Sequence, residues 1–420
     1  MLNDLSLFSG IGAFEKALTN LDIEYNVVAY CEIDKYASKA YSAIHNIPES
    51  KNLLDVTKVD ILDIEERVDL ITYGFPCQDI SNSGLQKGFF DENGNRTRSG
   101  LFFEASRIID DYRPKFAIAE NVKALMSKKF SEEFRIVLES LDEIGYNNYY
   151  AVLNAKDFGI PQNRERVFVV SIRKDIDVGF TFPEGFPLEL RLKDLLEDEV
   201  DEKFYLSDKM VNYLFDITEK NKVLVREATK KGYAEAYVGD SINIEQINSK
   251  TRRGRVGKGV AQTLTTMTKD CFIVAQRGRP VKDFSILRKV RTEYGKSIRK
   301  KYENGEIKEK RLNMQRFEPR FDGVSNALTT VLKDNYVMEV DMDNMRIRKL
   351  TPTEYYKLMG FTVEDCKRAS DAGISNTQLY KQAGNSIVVN VLEAIFTELG
   401  KNYDEFRPGL RDFENGVITD

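Results

Sequence analysis

The sequence predicts an α/β fold: an open, mainly parallel sheet covered by helices, with a smaller domain inserted before the chain returns to the sheet. Three observations predict it. Short apolar runs alternate with amphipathic stretches at the start of the chain, that rhythm stops near Phe180, and a regular amphipathic helix reappears near the end. The runs Leu5–Phe8, Val27–Tyr30, Leu70–Tyr73, Phe116–Ala119 and Val167–Ile172 have the length and composition of buried strands. Between the last two, Phe134, Val137, Leu138, Leu141 and Ile144 fall on one helical face, and Gly145 supplies a stop. Near the C-terminus Ser386 is positioned to cap a helix with Val388, Val391, Leu392, Ile395, Phe396 and Leu399 on its apolar face, ending at Gly400. Residues 1–178 are therefore assigned to the first part of the main domain, 179–345 to the insertion, and 346–420 to the hinge and return.

Composition narrows the function classes. With 42% hydrophobic and 31% charged residues, the 420-residue chain can bury a sizeable core and still present a polar surface. No apolar run approaches the roughly 20 residues that cross a bilayer, and the N-terminus lacks a basic-then-apolar leader, so a cytoplasmic location is expected; the expected oligomeric state is a monomer. The four cysteines, Cys31, Cys77, Cys271 and Cys366, include no CxxC pair, which argues against a disulfide framework or a cysteine zinc site. A single histidine, His45, leaves almost no material for a histidine base or a multi-histidine metal site.

The net charge of −5 hides an asymmetry. Residues 250–316 carry 20 Lys/Arg against 6 Asp/Glu, an excess of +14, so the remainder carries −19. A basic region on an acidic body suits a part that tracks phosphates, although a solvated charged surface has the same composition. The insertion also contains a repeat: residues 259–270 (GVAQTLTTMTKD) recur as 323–334 (GVSNALTTVLKD), with seven of twelve positions identical. Both copies read as hairpins, by their β-branched content and Lys-Asp turns.

In open parallel sheets, ligands bind at the carboxyl ends of the strands. After the first strand comes Phe8-Ser9-Gly10-Ile11-Gly12, whose glycines permit a tight turn and close approach to a ligand. The second strand runs into Glu32, an acid suited to ribose hydroxyls. After Leu70–Tyr73 comes Gly74-Phe75-Pro76-Cys77-Gln78, and after Phe116–Ala119 comes Glu120-Asn121. Cys77 is either an inert small hydrophobe or a nucleophile; a nucleophile needs a thiolate stabilised by a positive neighbour or a helix N-terminus. Glu120, partly shielded by its apolar run, is either a structural acid or a proton donor near neutral pH. Arg164 and Arg166 point the same way on an extended strand, toward a site or into a surface ion pair.

Taken in order, these motifs resemble those of bacterial and phage DNA (cytosine-5)-methyltransferases, and the resemblance spans nearly the whole chain. Asp4 to Gly12 resembles the cofactor motif, Gly74 to Gln78 the catalytic loop, Glu120-Asn121-Val122 the acid motif, and Gln162 to Arg166, preceded by Gly159-Ile160-Pro161, the QxRxR motif. Arg348 to Pro352, Leu358 to Phe361, and Gly384-Asn385-Ser386-Ile387 resemble the last two motifs.

The resemblance implies a Rossmann-like class I S-adenosylmethionine-dependent methyltransferase sheet with an inserted target-recognition domain, acting on double-stranded DNA without metal. It implies Cys77 as the nucleophile at cytosine C6, Glu120 at N3 and the exocyclic amine, Arg164 holding the base and Arg166 bracing the site. For S-adenosylmethionine it implies Phe8, Gly10, Ile11, Gly12, Glu32, Ile33, Asp55, Pro76, Leu101, Asn385 and Ser386. Ile33 stands where some relatives carry an aromatic. The loop 79–100 would close over a flipped base, with Ser83 entering the vacated space and Arg98 against phosphate or the closed loop. Arg252, Arg253, Arg255, Lys258, Thr263 and Leu264 are the candidate DNA contacts, the first repeat copy keeping the Thr-Leu pair typical of that domain. A tRNA cytosine-C5 methyltransferase is the nearest rival; Cys271-Phe272-Ile273 only partly resembles that branch's signature. A catalytically silent DNA-binding relative is the other rival, and the presence of Cys77, Glu120, Arg164 and Asn385 gives it no support.

Overall fold

The computed structural model describes residues 1–80, 87–205, 285–308, 314–320 and 345–408, and the short strands 223–225, 234–236, 241–243, 255–257, 273–275, 325–326 and 336–340. The main sheet has six strands in the order β2-β1-β3-β4-β7-β5. They are β1 (Leu2–Leu7), β2 (Tyr25–Cys31), β3 (Leu70–Tyr73), β4 (Phe116–Val122), β5 (Tyr146–Asn154) and β7 (Glu165–Arg173); a two-residue β6 (Gln162–Asn163) lies outside it. β1 to β4 are parallel, whereas β7 runs antiparallel to both β4 and β5. The expected strands are all present. β5 is an addition to that reading, and the antiparallel β7 wedged beside it makes the sheet mixed rather than uniformly parallel.

Alternation along each strand feeds two cores, because successive side chains leave opposite faces. Phe116 and Ile118 of β4 and Phe168, Val170 and Ile172 of β7 enter one core, which also takes Ala13, Phe14, Ala17 and Leu18 of α1 (Ala13–Asn20). Ala117, Ala119, Val167 and Val169 enter the other, with α3 (Phe102–Tyr112) and α4 (Ser131–Glu143). On α4, Val137 and Leu141 are buried, with Phe134, Leu138 and Ile144 packed at the margin, as the apolar face predicts.

The first core is completed from the far end of the chain. Helix Val389–Asn402 buries Val391, Leu392, Ile395, Phe396 and Leu399 there, and Phe116 meets Tyr403 and Phe406 edge-on at 5.0 and 4.9 Å. Each fully buried side chain of this size contributes roughly 1.5–3 kcal/mol, so the return of the last helix is held by packing. Two expectations about this helix are corrected. Ser386 is not its cap: it ends the preceding helix, Asn376–Asn385, and the final helix starts at Val389 without a side-chain cap. Nor does it stop at Gly400, which lies inside the helix where Phe406 O would come within 2.8 Å of an added Cβ; its missing side chain serves contact with the returning chain.

A second sheet takes strands Ile273–Ala275, Met345–Lys349, Tyr336–Val340, Ser285–Arg291 and Gln315–Arg320 in that order, so residues 346–349, expected in the hinge, pair instead with strands of the expected insertion. Ala275 also pairs in parallel with Glu339. These residues stand five positions beyond Asp270 and Asp334, the ends of the two repeat copies, so the one bridge between the strands that follow the copies joins equivalent positions of the repeat. The hairpins themselves lie outside the described residues. Of the second copy Ser325–Asn326 is described, and it pairs in parallel with β6, Ser325 with Gln162 and Asn326 with Asn163.

Candidate active site

The chain leaves β1 toward β2 on one side and later returns to lay β3 on the other, which makes the carboxyl ends of β1 and β3 a topological switch point. After β1, Phe8, Gly10 and Gly12 all have positive φ, at 54°, 58° and 77°. Gly10 N donates to Glu32 Oε2 at 2.9 Å, and the other oxygen of Glu32 accepts from Asp34 N at 2.7 Å. Burial raises the Glu32 carboxyl above its ordinary value, against these two amides. A Cβ on Gly10 would meet nothing within 4 Å, whereas one on Gly12 would lie 2.2 Å from His45 Nε2. Gly10 thus borders open space and Gly12 a wall.

His45 forms that wall from α2 (Lys35–His45), which Asp34 caps by accepting from Tyr36 N and Ala37 N. Its Nε2 lies 2.9 Å from Ile11 O; a carbonyl only accepts, so Nε2 carries the proton. Burial holds the ring below its ordinary pKa and keeps it neutral. Sequence reasoning dismissed His45 as a base and missed this tether, which no local pattern signals. The other cofactor candidates lie at the ends of elements or in the turns between them. Ile33 is 75% exposed, and Asp55 caps a turn by accepting from Thr57 N and Oγ1 at 3.1 and 2.8 Å. Leu101 is half-buried at the start of α3, Asn385 is exposed and Ser386 buried at the end of their helix.

After β3, Pro76 leads into Cys77, which is half-buried. The other described cysteines, Cys31 and Cys366, are buried, with thiols pushed up to about 12 and 11 by burial. Burial also raises the Cys77 thiol, but the Arg166 and Arg164 guanidiniums oppose it while the Glu120 carboxylate adds to it. These four side chains therefore share one neighbourhood, as the motifs anticipated.

Strand register explains the convergence. Val122 faces Arg166 and Glu120 faces Phe168 across β4 and β7, which makes Glu120 and Arg166 diagonal neighbours on one face. Arg166 Nε lies 2.9 Å from Glu120 Oε1, with side chains 15% and 12% exposed, too enclosed for a surface ion pair. Burial raises the Glu120 carboxyl, and Arg166 and then Arg164 pull it back. Gly74 leaves room beside it: a Cβ there would lie 3.7 Å from Glu120 Oε2.

Arg164 sits at the junction of β6 and β7 and is buried, its pKa lowered to about 9 by burial first and Arg166 second, so it remains charged at neutral pH. Its Nη2 donates to Gly384 O at 3.1 Å and Ser386 O at 2.7 Å, tying the QxRxR segment to the last motif. Gln162 Nε2 donates to Leu358 O at 2.6 Å, reaching the penultimate motif. Asn121 Nδ2 donates to Phe75 O at 3.0 Å and so fixes the loop that carries Cys77.

The described part of the loop after Cys77 is cinched at its base, where Asp79 N donates to Ser99 Oγ at 3.2 Å and Gly88 N to Asp79 O at 3.0 Å. Arg98 is exposed and donates to Gln78 Oε1 at 2.6 Å, beside the cysteine. Ser83, Arg252, Arg253, Lys258, Thr263 and Leu264 lie outside the described residues; Arg255 is described by its backbone, in a strand paired with Ser241–Asn243. Among the described residues, no cluster of three or more His, Cys, Asp or Glu suits a metal ion, and no helix is long and apolar enough to cross a membrane.

Comparison with known proteins agrees with this geometry. The family profile described as C-5 cytosine-specific DNA methylase matches residues 2–401. The orphan methyltransferase M.SPRI of Bacillus phage SPR is 33% identical, over 96% of this chain and 98% of its own. The type II methyltransferase M2.ScrFI of Lactococcus lactis subsp. cremoris is 30% identical, over 96% and 100%. Among solved structures, the Entamoeba histolytica methyltransferase EhMeth superposes with a TM-score of 0.56 at 19% identity, covering 96% of this chain and 98% of that one, a likeness of fold. With a profile match from the first strand through the last helix and relatives matched along almost their full length, the chain belongs to the C-5 cytosine-specific DNA methylase family.

Proposed function

We propose that this methyltransferase acts on a cytosine flipped out of double-stranded DNA within a short specific sequence, through a covalent bond between Cys77 Sγ and C6 of the base. The observation that carries the reading is the half-buried thiol beside the Glu120–Arg166 pair and Arg164, at the sheet edge that also holds the Gly10–Glu32 cradle.

The residues of the cradle fit S-adenosylmethionine. Glu32 spends one lone pair per oxygen on backbone amides, leaving acceptor capacity for two ribose hydroxyls. Gly10 gives the nucleoside room, and Phe8 with the exposed Ile33 supplies apolar surface for adenine. Asp55, Leu101, Pro76, Asn385 and Ser386 would complete the lining. When bound, this cofactor supplies an electrophilic methyl group.

Cytosine C5 is too electron-poor to take that methyl unaided. Sγ, as thiolate, adds to C6; the C5–C6 π electrons shift toward C5 and N3, and Glu120 hydrogen-bonds N3 so that charge gathering there is neutralised. A carboxyl raised by burial suits that task, and Arg166 keeps it oriented. Arg164, locked to the last motif, holds the base. C5 then takes the methyl that the bound cofactor would supply, the electron pair of the broken methyl–sulfur bond staying with the departing thioether; the C5 proton leaves to solvent, and the electron pair of that C–H bond expels the thiolate. Such chemistry cannot reach a stacked base, so extrusion at a cost of a few kcal/mol precedes it.

Phage and bacterial relatives named as orphan and type II methyltransferases support a role in modifying DNA against restriction, in a bacterial cytoplasm. Bisulfite sequencing of DNA from cells expressing the protein tests the reading. Methylated cytosines in one or a few short motifs, absent with Cys77→Ala, are expected; methylated adenine instead would overturn it.

A further inference from the structure

The recognition insertion and the catalytic arginine meet at one short segment. β6 pairs on its outer edge with Ser325–Asn326 of the second repeat copy, and its next residue is Arg164. Both side chains of β6 are buried. Asn163 Oδ1 accepts from Asn154 Nδ2 at 2.7 Å, and Asn154 Oδ1 accepts from the Arg164 backbone N at 3.1 Å and from Lys156 N at 3.4 Å. The two amide donors fix which end of the Asn154 carboxamide is oxygen, so its nitrogen must face Asn163, and Asn163 must present its oxygen. Asn154 closes β5, whose neighbour across the sheet is β7 at Glu165. One carboxamide thus bridges the strand stub that receives the repeat and the peptide that carries Arg164.

We propose that Asn154 and Asn163 are positioning residues for methyl transfer. Pairing of Ser325–Asn326, from the second repeat copy, with β6 is relayed through the Asn163–Asn154 hydrogen bond to the backbone of Arg164, and so to the guanidinium beside Cys77. This assigns the second copy, not the first with its better Thr-Leu match, to the link between target recognition and the reacting base. Neither asparagine touches the base. The relay rests on the role given above to Arg164, because a well-placed guanidinium matters only if it holds the extruded ring. A misplacement of about 1 Å at such a group costs on the order of a hundredfold in rate.

Four full-length variants test it, with transfer of labelled methyl from S-adenosylmethionine to bacterial genomic DNA free of cytosine methylation. Asn154→Asp keeps the acceptor for Arg164 N but loses the donor to Asn163. Asn163→Leu removes the acceptor, Asn163→Asp keeps it, and Asn154→Ala removes everything. The expected result is a fall in kcat of tenfold or more for Asn154→Asp, Asn154→Ala and Asn163→Leu. Asn163→Asp should stay within about threefold of wild type, and KM for S-adenosylmethionine should stay within about twofold throughout. A merely structural role would move KM and thermal stability along with kcat and would not be rescued by Asn163→Asp. Wild-type rates in Asn154→Asp, or equal losses in Asn163→Asp and Asn163→Leu, would overturn the relay. If the wild-type protein itself transfers no methyl to this DNA, the proposed function fails and not only the relay.

Discussion

Gly10 and Gly12 sit two residues apart in the same loop and share the same backbone demand, so substituting each by alanine separates strain from contact. Both lie at positive φ, where an L-residue costs about 1–2 kcal/mol. At Gly10 that is the whole cost to the free protein, because the new methyl meets nothing within 4 Å. At Gly12 the methyl would lie 2.2 Å from His45 Nε2 and 2.9 Å from Tyr41 Cε2, one ring half-buried and tethered to Ile11 O, the other fully buried. Displacing them adds roughly 1–3 kcal/mol of overpacking and about 1 kcal/mol for the lost bond to Ile11 O. The total for Gly12→Ala is then about 3–6 kcal/mol, which lowers Tm by on the order of 10 °C in a domain of this size. Gly10→Ala should lower it by only a few degrees. In S-adenosylmethionine titration calorimetry the order reverses in kind: Gly10→Ala, folded but with a methyl in the space assigned to the nucleoside, should bind at least tenfold more weakly. A Gly12→Ala protein as stable as wild type would refute the wall, and a Gly10→Ala protein with wild-type affinity would refute the cradle.

Other outcomes follow from the same contacts. Arg166→Ala leaves Glu120 without its 2.9 Å partner and removes the largest charge favouring the Cys77 thiolate; kcat should fall by about 10²–10³-fold, and the pH at which the rate rises should move upward. In the wild-type protein burial raises the Cys77 thiol, so single-turnover methylation should rise with pH through neutrality; a rate falling over that range would contradict the assignment. Asp4 is fully buried, and burial, then Glu15, raises its pKa well above the ordinary value, against the pull of the Thr72 hydroxyl. A raised acid contributes stability that is present below its unfolded pKa and lost as pH rises through the folded one. Asp4→Asn should therefore raise Tm at pH 8 by a few degrees, with the gain vanishing toward pH 4. Phe396→Ala empties a site between Phe14 and Phe406 and should cost about 3–5 kcal/mol in urea unfolding.

What the sequence made legible follows from where the physics is local. Strands buried on both faces, such as Phe116–Ala119 and Val167–Ile172, read as continuous apolar runs because each face must enter a core. β5 escaped notice because Tyr146–Asn154 is an edge strand of tyrosines and asparagines, half-exposed along most of its length. The carboxyl-edge rule singled out Gly10, Glu32, Cys77 and Glu120 because each follows a strand that was itself legible. The helix-cap assignment of Ser386 failed because two helices abut there, and Arg164 takes the Ser386 carbonyl. His45, Asn154 and Asn163 act through partners that only the fold brings near: the loop at Ile11 for the histidine, the docked repeat for the asparagines. Nothing in the neighbourhoods of His45 and Asn154 marks them, and Asn163 stands at an unspecified position of the QxRxR motif.

Covalent trapping tests the central claim most directly. Duplex DNA bearing 5-fluorocytosine at the methylated position, incubated with the protein and S-adenosylmethionine, blocks the final proton loss and should leave an adduct that survives denaturation. Peptide mapping should place that adduct on Cys77, with none in Cys77→Ser. An adduct on another residue, or none from a preparation that methylates ordinary DNA, would contradict the account.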